Sequence, residues 1–318
     1  MALNLHHVRL FAATVDHGGF VRAARALHVS QPAISRAVRT LEMQLGLSLL
    51  ERGGRGVTLT AAGAELHRHA AAILSSERAA EETLAALRGV EGGTLHVGAS
   101  VTVSFYLLPD LIAEFALRYP NVELQVTTHR TREVSDMLLA HRIDIAVVEA
   151  AIVNPRLRAR PWRIDDLVPI AAPSHRLAGT KRVSPSALAG EVFVLREPES
   201  MTRALVLRQL AMLGITPTRL VTVGGLETLK GVVARGVGVA VVSRYAIADA
   251  LALGRLVQLP IPELTIRRDL TRLELIDRTA SPAAAAFNAL LDATADVAAP
   301  RRKQRAPRYR RRRGDTPA

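Results

Sequence analysis

The chain has 318 residues and a formal net charge of +13; it is 49% apolar, only 3% aromatic, and contains no cysteine. Its length suggests two or three domains, the missing cysteine excludes disulfides, thiolate metal sites and cysteine nucleophiles, and so few aromatics argue against stacking on single-stranded nucleic acid. No apolar run approaches the ~20 residues that span a bilayer, so no membrane partner is expected. The charge is uneven: residues 301–318 hold nine Lys/Arg against Asp315, and residues 1–60 hold seven arginines against three acids. Outside the tail, the excess is concentrated at the N-terminal end, as attraction to phosphate requires.

In chain order, residues 3–17 predict a helix with Leu3, Val8, Leu10, Phe11 and Val15 inward and Gly18-Gly19 as its end. His6, His7, Arg9 and Asp16 interrupt this segment in a way a signal peptide does not. No further ligand stands at a useful spacing from His6 and His7, so no metal site is expected. A short helix over 21–27, a turn at His28-Val29-Ser30 and a helix over 31–45 follow. In that last helix Ile34, Ala37, Val38, Leu41 and Leu45 form one apolar stripe, and Pro32, Ser35, Arg36 and Arg39 share the opposite face. Ser30 caps it, and Pro32 is tolerated in a first turn whose amides have no intrahelical partner. Such a helix buries one side in a small core and presents the other to a DNA major groove. LLERGGRGVTL then reads as a two-stranded wing with Arg52 and Arg55 at or near its tip.

Thr60 predicts the start of a long helix over 61–87, in which Leu66, Ala70, Ile73, Ala80, Leu84 and Leu87 keep a 4-3 spacing, with Glu77 in the remaining slot. A seam this narrow points to a partner helix. GVEGG at 89–93 reads as a hinge. Beyond it, strands and helices alternate: TLHVGAS, a helix over 104–119, VELQVTT, a helix over 131–141, and IDIAVVE. A second unit follows with strands LVPIAAP, VFVL, LVTV and GVAVVS and helices near 201–213, 226–235 and 244–250; DLTRLELI returns as a strand and residues 282–296 close with a helix. Alternation of this kind gives a mostly parallel sheet.

The segment AARALHVSQPAISRAVRTLEMQLGLSLLER…VTLTAAG resembles the winged helix-turn-helix of LysR-type transcriptional regulators, and the likeness continues to about Leu291. VGASVTVSFYLLPDLIAEFALRYPNVEL, DIAVVEA, REPESMTR and GLETLKGVVARGVGVAVVSR resemble the sensor of the branch that contains the CbbR and CysL-type regulators. The implied fold is an α/β chain with an N-terminal all-α winged helix-turn-helix and a two-lobed, periplasmic-binding-protein-like (type 2) effector domain. The implied organisation is a DNA-binding domain over 1–60, a linker and dimerisation helix over 61–88, an effector domain over 89–299 and a disordered basic tail over 300–318. Within the effector domain, lobe I covers about 93–164 and 268–299, and lobe II about 165–267.

The resemblance implies that Gln31, Pro32, Ser35 and Arg36 enter the major groove, where Gln pairs with adenine and Arg with guanine. Arg39 would reach a phosphate, and Arg52 and Arg55 the backbone or minor groove. The second site is the cleft between the lobes. Ser100 and Thr102, and Ser200 and Thr202, sit where strands enter helices, and relatives place their co-inducer at the matching positions. Helix N-termini favour anions; Arg203 adds positive charge, and Arg196 lies close in sequence. Plain capping explains serines and threonines there equally well. Glu149 ends a strand at the cleft and would repel a bare anion unless it pairs with an arginine or accepts from a ligand hydroxyl or amine. Met201 stands where relatives often carry glycine, and Val101 and Val103 make the first loop more apolar than a threonine-rich one.

No GxSxG elbow, HExxH or P-loop is present, so no catalytic residue, metal or cofactor is expected. The expected function is sequence-specific regulation of transcription from double-stranded promoter DNA in the bacterial cytoplasm. The chain would act as a homodimer or homotetramer with RNA polymerase as a further partner, under control of an anionic co-inducer whose identity stays open. Two alternatives remain: a solute-binding protein of the same two-lobe fold, and an architectural DNA binder driven by the basic tail.

Overall fold

The computed structural model describes residues 3–51, 57–87, 92–149 and 153–296. At the N-terminal end, α1 (Leu5–Asp16), α2 (Phe20–Ala26) and α3 (Gln31–Leu45) pack around one core. The apolar stripe of α3 does what its spacing dictates: Ile34, Ala37, Val38 and Leu41 are buried against Val8 and Phe11 of α1 and Ala23 and Ala24 of α2. Truncating the fully buried Ile34 to alanine would cost about 2–5 kcal/mol. Ser30 Oγ accepts from the Ala33 amide at 3.3 Å, Pro32 lies in the first turn, and Gly46 ends the helix at φ 65°.

The wing base follows. Leu50 and Leu59 form an antiparallel bridge, and the Glu51 amide donates to the Thr58 carbonyl at 2.8 Å. Glu42 of α3 locks this base in place, its Oε1 accepting from the Leu49 and Leu50 amides at 2.8 and 3.3 Å. The wing tip, with Arg52 and Arg55, lies outside the described residues. Helix α4 (Ala61–Leu87) then starts under Thr60, whose Oγ1 accepts from the Gly63 amide. A Cβ at Gly63 would stand 1.9 Å from the Leu49 carbonyl oxygen, so only glycine lets α4 pass this close to the wing.

The 4-3 seam of α4 divides. Leu66 and Ala70 pack into the core of the N-terminal domain, and Glu77 pairs with Arg9 of α1 at 3.0 Å. Ala80 and Leu84 are exposed. On another face, Arg78 reaches Asp144 at 3.1 Å and Glu82 accepts from the Thr94 amide at 3.2 Å, so α4 is also tied to the domain that follows.

That domain is built on a seven-stranded sheet. Strands β1 (Gly93–Ser100), β2 (Val122–His129) and β3 (Ile145–Glu149) are mutually parallel in the order β2-β1-β3. Between them run α5 (Val101–Tyr106), α6 (Pro109–Arg118) and α7 (Thr131–Leu139). Two long strands, β4 (Leu157–Ala171) and β9 (Ile266–Leu275), pair antiparallel along their length and carry the sheet from the first lobe into the second. There β7 (Ala240–Ser243) and β8 (Val257–Gln258) flank β4, while β5 (Val192–Arg196) and β6 (Arg219–Val223) form a parallel pair joined to Val239 by a bridge at Phe193. Helices α8 (Met201–Met212), α9 (Leu226–Ala234) and α10 (Ala248–Ala252) belong to this second lobe, and α11 (Pro282–Ala293) returns to pack on the first. The glycines of RGVGVAVV make a tight helix-to-strand turn: Gly238 has φ 142°, and a Cβ there would lie 2.1 Å from the Val192 carbonyl oxygen.

Three local expectations are corrected. The single helix over 104–119 is two, α5 and α6, because Pro109 has no amide hydrogen with which to continue the first. The strand expected at residue 167 starts at Leu157; LRARPWR lacks an apolar run, and its strand form comes from pairing with β9. Residues 244–250 are a 3-10 turn at Tyr245–Ile247 followed by α10. The tail over 300–318 lies outside the described residues, as does most of the hinge at 89–93.

Candidate functional site

The lobe boundaries expected after residues 164 and 267 fall inside β4 and β9, at the facing pair Asp165 and Arg268. Arg268 is 6% exposed and Asp165 fully buried. The Arg268 guanidinium lies 2.7 Å from Asp165 Oδ2, and Ser243 Oγ donates to the other carboxylate oxygen at 2.8 Å. Arg268 also reaches Glu149 Oε2 at 3.3 Å and donates to Thr202 Oγ1 at 3.0 Å and to Thr102 Oγ1 at 3.3 Å. One guanidinium therefore joins a hydroxyl of the first lobe to a hydroxyl of the second.

Around it the sequence-predicted residues gather. Ser100, Thr102, Glu149, Ser200 and Thr202 line one small cavity of about 40 Å³, with Met201 and Arg130. A second, of about 20 Å³, adjoins it behind Thr102, Thr202 and Arg268, and Arg203 lines that one. Each holds little more than a water molecule, so protein side chains fill the cleft in this state. Ser100 Oγ accepts from the Glu149 amide at 3.2 Å and so ties β1 to β3. Ser200 caps α8, accepting from the Arg203 amide at 3.4 Å. Arg203 donates to the Arg196 carbonyl at 2.7 Å and to Thr222 Oγ1 at 3.2 Å, which fastens β5 and β6 to the start of α8.

Four residues outside the expected effector set complete the geometry. Arg130, the N-cap of α7 in the first lobe, lies 3.8 Å from both Glu197 and Glu199 of the second. Arg196 pairs with Glu197 at 2.8 Å. Burial alone would raise the Glu197 pKa, but the Arg196 hydrogen bond and the Arg196 and Arg130 charges hold it below the usual glutamate value. Arg130 and Glu199 are half exposed or more, so their pairing is worth about 0–1 kcal/mol and yields easily. The Arg268–Asp165 pair is buried; removing one partner would strand a charge at a cost of about 3–5 kcal/mol. The Arg130–Glu199 pair is thus exchangeable and the inner one is fixed.

At the edge of the cleft, Tyr106 of α5 donates to Glu227 of α9, and Lys230 lies 5.0 Å from the Tyr106 ring centroid. Burial, then the Glu227 carboxylate, pushes the Tyr106 hydroxyl far above its ordinary pKa, so it stays a donor.

Arg268 was missed in the sequence because it lies in a charged run, IRRDLTRLEL. No alternation flags it, because Leu270, Thr271, Arg272 and Leu273 are all buried and both faces of β9 are covered there. An arginine on the buried face of a strand requires a carboxylate partner, but which one depends on the β4–β9 register.

In the N-terminal domain, Gln31, Pro32, Arg36 and Arg39 of α3 are exposed and Ser35 partly so, on the face opposite the core. A basic helix face on a helix-turn-helix head, joined by a long helix to a two-lobed α/β domain with a polar cleft, defines a DNA-binding regulator with a sensing domain. Residues 5–64 match the bacterial regulatory helix-turn-helix protein of the lysR family, and residues 88–296 the LysR substrate binding domain. The chain belongs to the LysR family of transcriptional regulators.

Among its relatives, the RuBisCO operon transcriptional regulator of Allochromatium vinosum is 36% identical over 287 residues, 90% of this chain and 95% of that protein. The HTH-type transcriptional regulator CbbR of Rhodospirillum rubrum is 32% identical over 92% of this chain and 97% of its own length. These relatives are regulators, not enzymes. The CcmR regulatory domain of Synechocystis PCC6803, solved in complex with 2-PG, is 26% identical with a TM-score of 0.60 over 64% of this chain and 98% of that one. A full-length OxyR variant from Pseudomonas aeruginosa shares the fold, with a TM-score of 0.73 at 23% identity over 92% of this chain and 95% of that one. The N-terminal winged domain and two-lobed fold expected from sequence are thereby found. The helix-turn-helix domain and the regulator relatives disfavour both a solute-binding protein and a purely architectural DNA binder. Among the described residues, no helix is long and apolar enough to cross a membrane.

Proposed function

We propose that a small anionic metabolite binds between the lobes as co-inducer, and that the chain regulates a RuBisCO operon. The observation that carries the reading is Arg268, buried and bonded to Thr102 and Thr202 from opposite lobes. An anion entering here takes Arg130 and Arg196 from Glu197 and Glu199, and accepts from the two threonine hydroxyls and from free amides at the start of α8. Ser100 and Ser200 shape the pocket, Arg203 braces it, and Glu149, which shares Arg268 with Asp165, accepts from a ligand hydroxyl. The relatives that regulate RuBisCO operons and the 2-PG complex of CcmR support both the target and the ligand class. No cofactor or metal takes part.

Ligand entry requires the lobes to shift, since the present cavities admit little more than water. The shift matters only insofar as the ligand favours one arrangement over the other. Gln31, Pro32, Ser35 and Arg36 read base edges, Arg39 neutralises a phosphate, and Arg52 and Arg55 of the wing contact the backbone or minor groove. The exposed Ala80 and Leu84 of α4 meet a second copy in a homodimer or homotetramer, which bends promoter DNA toward or away from RNA polymerase in the bacterial cytoplasm. Titration of 2-PG into the full chain on its promoter is the test. A change in DNA affinity that disappears in Thr202→Val is expected; an unchanged DNA affinity at saturating 2-PG, phosphorylated sugar and carboxylate counts against the reading.

A further inference from the structure

A larger cavity lies elsewhere, at the joint between the linker helix and the first lobe. It has a volume of about 220 Å³, against about 30 Å³ for a water molecule. Arg158, Arg278, Asp144, Glu274, Ser281 and Asn288 are among its lining residues.

Both lining carboxylates are already taken. Asp144 is held by Arg278 and by Arg78 of α4, and Glu274 by Arg272 at 3.1 Å and Arg160 at 3.5 Å. Asp292 takes another edge of Arg272 at 3.0 Å. Arg158, directly across the strand pair from Glu274, has no ion pair among the described residues. Five guanidinium groups thus meet three carboxylates in this group, and the lining cation Arg158, which is exposed, has no carboxylate partner among the described residues. Asn288 Oδ1, an acceptor, has no hydrogen-bond partner among the described residues. His141 Nδ1, close to Arg278, is unpartnered as well. Burial, and then the Arg278 and Arg156 charges, hold the His141 pKa below its ordinary value.

We propose that this cavity is a second ligand site, independent of the cleft, for a small oxyanion: a phosphate- or carboxylate-bearing metabolite held by Arg158 and Arg278. Its position gives it a use. Asp144 is one of the points at which α4 grips the sensor, another being the Glu82–Thr94 amide bond, so an anion beside Arg278 competes with that grip and alters the seating of the linker helix.

The test is calorimetric titration of the full chain with inorganic phosphate and, separately, succinate. It uses a Thr102→Val/Thr202→Val background that silences the cleft. The expected result is a saturable component for at least one anion, weakened at least tenfold by Arg158→Glu and unaffected by Arg118→Glu, an exposed arginine outside the cavity lining. Whichever of the two anions binds more tightly identifies the headgroup. Loss of binding to the same degree in both arginine variants would mean diffuse attraction to a basic protein and overturn the proposal. So would no saturable binding of either anion, or an isotherm unchanged by Arg158→Glu. Failure of the cleft reading has a different signature, in which the threonine substitutions remove no binding component from the wild-type isotherm.

Discussion

Arg268 and Asp165 face each other across β9 and β4 at 2.7 Å, at the point where the sheet passes from one lobe to the other. Because both are buried, neither can be satisfied by water if its partner leaves. Arg268→Ala should therefore lower stability by about 3–5 kcal/mol, read as a shift in the urea midpoint. Arg268→Lys keeps the charge but loses the planar fork, and should fall between wild type and alanine. A loss below about 1 kcal/mol for the alanine variant would mean that the pair is dispensable.

Glu199 is the exchangeable anion. Glu199→Gln removes a competitor for Arg130 and should tighten binding of an anionic ligand by roughly two- to fivefold, about 0.5–1 kcal/mol. Weaker binding would point to a ligand that presents positive charge to this glutamate. Equilibrium titration of the two proteins separates the cases.

Much of this was legible beforehand. The stripe of α3, Ser30 as its cap and the strands around the cleft follow from local spacing and capping chemistry, whereas the four hydroxyl residues of the cleft came mainly from the resemblance to LysR-type regulators. The central guanidinium did not, because Arg268 acquires its role from registry with a strand a hundred residues away. The first half of β4 was hidden for the same reason: Arg158 and Arg160 read as a charged loop until β9 pairs with them. The split between α5 and α6 is of a different kind: Pro109 marks it in the sequence, while the apolar periodicity of residues 104–119 runs straight across it.

Asp144 carries a pH dependence. Burial pushes its pKa up, but hydrogen bonding from His96, then the Arg278 and Arg78 charges, more than offset this and hold it at about 2, against 3.8 for a free aspartate. A carboxyl depressed in the folded state contributes stability that is present above its unfolded pKa and lost as pH falls through the folded value. The contribution of about 2 kcal/mol should thus be intact at pH 5 and disappear between about pH 4 and 2. Denaturation of wild type and Asp144→Asn at several pH values checks this: the gap should be wide at pH 6 and narrow near pH 2. A gap independent of pH would assign the loss to packing instead.

On the DNA side, Arg36→Ala should weaken specific binding by about 1–3 kcal/mol and relax preference at one base position if it reads a guanine. Arg39→Ala should weaken all sequences alike and lower the salt slope by about one. Gel-shift titrations at several salt concentrations distinguish the two, and an Arg39 variant that changes sequence preference would reverse the roles.

The most direct measurement is thermal unfolding of the full chain against a panel of phosphorylated, carboxylated, zwitterionic and cationic small metabolites. In an Arg158→Glu background, which silences the second cavity, an anion at a hundred times its Kd should add about 2.7 kcal/mol of stability, and Thr102→Val/Thr202→Val should abolish that shift. Stabilisation by a cationic or neutral compound alone, or a shift by an anion that survives both threonine substitutions in that background, would contradict an anion held between the lobes at Arg268.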